Sequence, residues 1–127
     1  MSYDAYQTVN LNAQTATASP VQLVIVLMDG LLDELARARG HVVAQRYELK
    51  ARSLDKCVAI IQGLSSALET DTGGEVVDNL ARLYEYCAER LYRAGVDLNE
   101  ALIDEVSKLI HTLRNGWVAV QGQEARG

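Results

Sequence analysis

The sequence predicts an all-α fold, an antiparallel up-down four-helix bundle with an extended N-terminal arm. Three observations carry this. Apolar residues recur at three- and four-residue spacing through four long stretches. Start and stop residues bound those stretches, Ser19-Pro20 ahead of the first and the run TDTGGE between the second and third. No segment alternates with the period that a half-buried strand requires. At 127 residues the chain fits one domain, in which folding buries about two-thirds of the surface the unfolded chain exposes, enough for one core. The expected organisation is a flexible arm over residues 1–18, the bundle over 19–120 and a frayed tail over 121–127.

The arm holds Tyr3, Tyr6, Val9 and Leu11 among Asn, Gln, Thr and Ala, without sustained periodicity. The first helix starts where Ser19 caps, Pro20 presets φ and Gln22 completes a capping box. Its core line reads Val21, Val24, Ile25, Met28, Leu32, Leu35, Arg39 and Val42, which carries the helix to about Ala44. An isolated Gly40 costs only about 1 kcal/mol and does not stop it.

The second helix, about Tyr47 to Leu68, carries Leu54, Cys57, Val58, Ile61, Leu64 and Leu68 on one face. Gly73 and Gly74 make a turn. The third, about Glu75 to Ala94, places Val76, Leu80, Leu83, Tyr84, Cys87 and Leu91 inward, with Glu75 suiting the helix dipole and Gly95 as the expected stop. Asp97 or Asn99 caps the fourth, whose stripe is Leu102, Val106, Leu109, Ile110, Leu113 and Trp117.

Composition excludes several function classes. A formal net charge of -5 argues against affinity built on phosphate contacts, so nucleic acid is not an expected partner. The apolar run from Val21 to Met28 is far shorter than the ~20 residues that span a bilayer, so no stable membrane insertion is expected and the reading is cytoplasmic. Cys57 and Cys87 sit in apolar stretches as small buried hydrophobes, not as a disulfide pair. A di-metal bundle site needs Glu-x-x-His pairs, whereas Ala38 and Lys108 stand three before His41 and His111. The glycine pair lacks the Lys and Ser or Thr of a phosphate loop. No catalytic residue, metal or cofactor is therefore expected, and the protein reads as a non-enzyme.

What remains is surplus apolar surface. Leu23, Leu27 and Leu31 form a second ridge, rotated from the line through Met28, and Ile60 does the same beside Leu64 and Ala67 on the second helix. Tyr86 and Tyr92 flank the third helix's core line, where aromatic side chains serve as interface anchors. Two stripes need two covers. One is the bundle; the other is the chain's own arm, a second subunit or a partner helix, the alternative being that a tight four-helix core with wide stripes absorbs these residues itself.

The stretches TASP followed by LVIVLMDGLL, then GGEVVDNLARLYEYCAERL, then LIDEVSKLIHTLRNGW, carry a resemblance. Its most specific residues are Asn79, Leu80, Leu83, Tyr84 and Tyr86 after the double glycine, with Leu113, Arg114 and Trp117 near the end. From about Tyr6 to Trp117 the chain resembles the FliS family of flagellin-specific export chaperones of the bacterial flagellar type III secretion system. The resemblance implies an antiparallel helical bundle in the bacterial cytosol that binds the C-terminal segment of flagellin. Binding would prevent early polymerisation and deliver the subunit to the export gate, with other flagellar regulators as further partners. The resemblance also implies an N-terminal arm that lies on the bundle and is displaced by the client.

On this reading Tyr6, Val9 and Leu11 are the arm's contacts. The off-core angles of Leu23, Leu27, Ile60 and Leu64 make them the groove candidates. The expected state is a soluble monomer or weak homodimer. The competing reading is a helical adaptor for some other amphipathic-helix partner.

Overall fold

A computed structural model describes residues 19–68 and 74–126. Four helices account for nearly all of them: α1 Pro20–Val43, α2 Tyr47–Leu68, α3 Glu75–Asp97 and α4 Glu100–Arg126. Each packs on its neighbours in the chain, and α1 packs on α4 to close the ring. The pairing is antiparallel. An advance along α1 from Asp29 to Arg39 is a retreat along α4 from Arg114 to Asp104, the residues with which they pair. On the other side of α1, Leu27 lies against Gly63 and Glu34 meets Ser53.

The start of α1 is set locally. The Gln22 amide donates to Ser19 Oγ at 3.1 Å and the Ser19 amide to Gln22 Oε1 at 2.9 Å, both halves of a capping box. Its end is a left-handed turn at Gln45, φ 58°, where the Gln45 amide donates to the Val42 carbonyl and the Arg46 amide to that of His41. These bonds satisfy carbonyls that the helix leaves open. Gly40 lies inside the helix.

Gly95 does not end α3. The helix continues to Asp97, and Leu98 terminates it in the left-handed conformation, φ 53°. Gly95 instead permits close helix packing: a β-carbon there would lie 3.0 Å from Leu54 Cδ1 of α2. Asn99 caps α4, its Oδ1 accepting from the Ala101 amide at 3.0 Å. Gly74, at φ 116°, supplies the glycine-only backbone that leads into α3. At its far end α4 runs to Arg126, through the segment beyond residue 120.

The core is one cluster with contributions from every helix. Met28, Leu31, Leu35 and Ala38 of α1 meet Cys57, Ile61 and Leu64 of α2, Tyr84, Cys87 and Leu91 of α3, and Ile103, Val106 and Ile110 of α4. Three departures from the sequence reading share a cause. Leu31 and Ala38 are fully buried, while Arg39, read as inward, is exposed and pairs with Asp104 at 2.8 Å. A straight helix drifts by about 20° per heptad against its neighbours, so the buried face turns along α1 and carries Arg39 out as Ala38 comes in. On α4, Ile103 is buried where the reading had Leu102, and Leu102, Leu109, Leu113 and Trp117 are the partly buried margin.

Candidate binding surface

An open apolar cleft of about 580 Å³ runs along the seam of α2 and α3. Its floor is Leu54, Val58 and Leu91, and its α2 wall carries Ala51, Ala59 and Gln62. Ala88 and Gly95 on α3 leave the seam wide, because small residues recur on both facing helices at about two-turn spacing. Tyr92 and Val96 stand at the mouth, 74% and 65% exposed. One end holds a cation: Lys50 Nζ donates to the Gly95 carbonyl at 2.9 Å and lies 5.9 Å from the Tyr47 ring centroid. Asp55 sits on the lip.

The groove candidates Leu23, Leu27, Ile60 and Leu64 lie at the other flank of α2, where it meets α1. Leu23, Leu27 and Ile60 are half-buried, and Leu27 and Ile60 pack on the margin of the core. Leu64 is 1% exposed, a core side chain with no surface to offer in this conformation. Leu31, the third member of the proposed ridge, is also in the core. Tyr6, Val9 and Leu11 lie outside the described residues. The α2–α3 cleft was missed from sequence. The signal for it was Ala51, Ala59, Ala88 and Gly95, small residues on two different helices, which periodicity within one helix does not connect.

The two cysteine thiols are part of the packed core. Burial pushes the Cys57 thiol up to about 12, with Glu34 adding to it, and burial with Glu105 pushes Cys87 up to about 11. Both are free and buried, so neither is an available nucleophile at neutral pH. Glu34, itself buried, accepts from Ser53 Oγ at 2.7 Å and from Arg37 Nη1 at 3.1 Å. A second, polar hollow between α1 and α4 is lined by Asp29, Asp33, His111 and Arg114, and Asp29 and Arg114 already pair there. Among the described residues no group of three or more His, Cys, Asp or Glu is placed to hold a metal ion, and no helix is long and apolar enough to cross a membrane.

The described residues form a four-helix bundle with an apolar cleft between α2 and α3. Its family is specific. The family model described as Flagellar protein FliS matches residues 2–124, and the chain belongs to the FliS family. Among the relatives, the flagellar secretion chaperone FliSB of Pseudomonas aeruginosa is 41% identical over 112 residues, covering 88% of this chain and 89% of that one. The flagellar secretion chaperone FliS of Salmonella typhimurium is 36% identical over 119 residues, covering 89% and 84%. That of Escherichia coli is 32% identical over 114 residues, covering 89% and 84%.

Proposed function

We propose that this protein is a cytoplasmic export chaperone for flagellin, holding the C-terminal segment of the subunit against the two flanks of α2 until it reaches the export gate. The observation that carries this is the apolar α2–α3 cleft of about 580 Å³ in a chain of the FliS family. An unpolymerised flagellin end is a disordered amphipathic chain whose apolar stripes find their partners only in the filament. Laid on the bundle as helices, it buries about 1,000–3,000 Å² and offsets an ordering cost of about 2–5 kcal/mol. Holding of this kind needs no nucleotide, metal or cofactor.

Leu23, Leu27 and Ile60 supply the α1–α2 flank of the seat, with Leu64 supporting it from the core. Residues 1–18 act as an exchangeable cover, touching the bundle through Tyr6, Val9 and Leu11. Client binding then replaces one apolar cover by another, and the bundle over 19–120 is the part that binds.

Calorimetric titration with a peptide of about 40 residues from the C-terminal end of the cognate flagellin tests this. The expected result is tight binding with a clearly negative ΔCp, strengthened when residues 2–18 are removed. Absence of binding by both forms would overturn the flagellin assignment and leave an adaptor for a different amphipathic helix.

A further inference from the structure

We propose that residues 111–126, about four turns at the end of α4, form a strap that opens from the bundle independently of the core. It is hinged after Ile110 and latched by the ion pair of Arg114 with Asp29. Opening uncovers the first turns of α1, so the chain carries a releasable cover of its own over an apolar face.

Burial along α4 is one-sided. Ile103, Val106 and Ile110 are fully buried, whereas from residue 111 to residue 124 no side chain is buried. Leu113 and Trp117 reach only the margin of the core, and Val118 and Val120 are exposed. Two glycines weaken the same stretch. A β-carbon at Gly116 or Gly122 would meet nothing within 4 Å, so neither glycine serves a close approach. Each shifts the helix equilibrium about fivefold toward the open chain, relative to alanine. Among the described residues, one ion pair ties this stretch to the rest of the bundle, that of Arg114 with Asp29, whose side chains are 34% and 48% exposed. Such exposure keeps the pair weak. Beside it lies a hollow lined by Leu32, Asp33 and His111, so the hinge is not closed by packed side chains. A segment held in this way has its own stability, below that of the core.

What the strap covers follows from register. Asp29 stands opposite Arg114, and Arg39 opposite Asp104. Four residues back from Asp29 along α1 correspond to four onward from Arg114 along α4. That sets Ile25 level with Val118 and, one turn further, Val21 level with Gly122. Val21 and Ile25 are buried yet lie outside the core cluster, which on α1 begins at Met28. α1 packs on α2 and α4, and at this height the cover from α4 is the strap. With the strap open, Val21 and Ile25 join the half-buried Val24 on one apolar face of α1.

Hydrogen–deuterium exchange of the unaltered full chain, resolved along α4, tests this. Amides of residues 114–120 should be protected about a hundredfold less than those of 103–110. Loss confined to the last turn, with 114–120 as protected as 103–110, overturns the strap. Trp117, the sole tryptophan, gives a second readout. Its fluorescence should change at a lower urea concentration than the helicity followed by circular dichroism, and one shared transition overturns independent opening. Gly116→Ala combined with Gly122→Ala should raise protection of 114–120 by at least about tenfold and leave 103–110 unchanged. Asp29→Asn should lower protection of 114–120 about threefold. If it leaves that protection unchanged, or lowers that of 103–110 by the same factor, the latch assignment falls. None of these readouts needs a client, so the strap and the chaperone reading fail separately.

Discussion

Glu34 Oε2 accepts the hydroxyl proton of Ser53 at 2.7 Å, a polar bond buried between α1 and α2 where the surrounding seam is apolar. Such a bond adds little net stability when made and costs more when half of it is removed. It ties the two helices at one height.

The expected consequence is an asymmetry. Ser53→Ala should destabilise the fold by about 1–3 kcal/mol, because it leaves the Glu34 carboxylate with only Arg37 as partner. Glu34→Met combined with Ser53→Ala should recover most of that loss, since an apolar pair of similar size leaves nothing unsatisfied. Urea unfolding followed by circular dichroism measures both. Equal losses in the single and double variants would show that packing, not the bond, sets the cost.

The turn between α1 and α2 makes a prediction of opposite sign. Gln45 holds φ 58°, a conformation that costs a residue with a β-carbon about 1–2 kcal/mol, and its side chain is exposed. Gln45→Gly removes that cost and adds back about 0.5–1 kcal/mol of chain entropy. The net is a gain of about 0.5–1 kcal/mol, read as a rise of a few degrees in Tm. An unchanged or lower Tm would show that the Gln45 side chain itself stabilises the turn.

These two sites also mark what the sequence reveals and what it conceals. The capping box of Ser19 and Gln22 is legible because both partners lie within one turn, and the bounds of α2 at Tyr47 and Leu68 follow from one helix's own periodicity. The end of α3 was not legible. Gly95 has the composition of a stop, yet its missing side chain serves the approach of Leu54, while Leu98 takes up a left-handed turn that leucine does not advertise. Leu31 was read off the core line, and Ala38 and Ile103 were left out of it, for a similar reason. Whether an apolar residue faces the core or its margin depends on where two neighbouring helices press, and one helix's spacing does not carry that. The cleft beside α2 is the clearest case, since it arises from small residues on α2 and α3 that meet only in three dimensions.

The buried thiols give the fold a pH dependence on the alkaline side. Cys57 and Cys87 are raised to about 12 and about 11, chiefly by burial, whereas unfolded thiols titrate near 8.5. Above about pH 8.5 the unfolded chain has released protons that the folded chain retains, so stability falls as pH rises. Below about pH 8 the contribution is complete and flat, and it is lost progressively up to about pH 12. Burial raises Tyr84 to about 12 as well, which extends the same trend. The urea midpoint should therefore drop between pH 7.5 and pH 10.5, and drop less when both cysteines are replaced by alanine. Identical slopes would show that the thiols ionise alike in both states.

The two flanks of α2 are separable by mutation. Leu27 packs on Gly63 at the margin of the core, so Leu27→Asp places a carboxylate on that flank while the fully buried cluster stays intact. Helicity should be largely retained and affinity for the flagellin peptide should fall. Tyr92, 74% exposed at the mouth of the cleft, makes so little of the fold that Tyr92→Ala should change stability by no more than about 0.5 kcal/mol. Its affinity should fall too, because a rigid aromatic at the lip of an apolar cleft is a typical interface anchor. Loss of binding in both variants is the result expected of a client that wraps α2. Loss in only one confines the client to that flank, and an unfolded Leu27→Asp would instead assign Leu27 to the core.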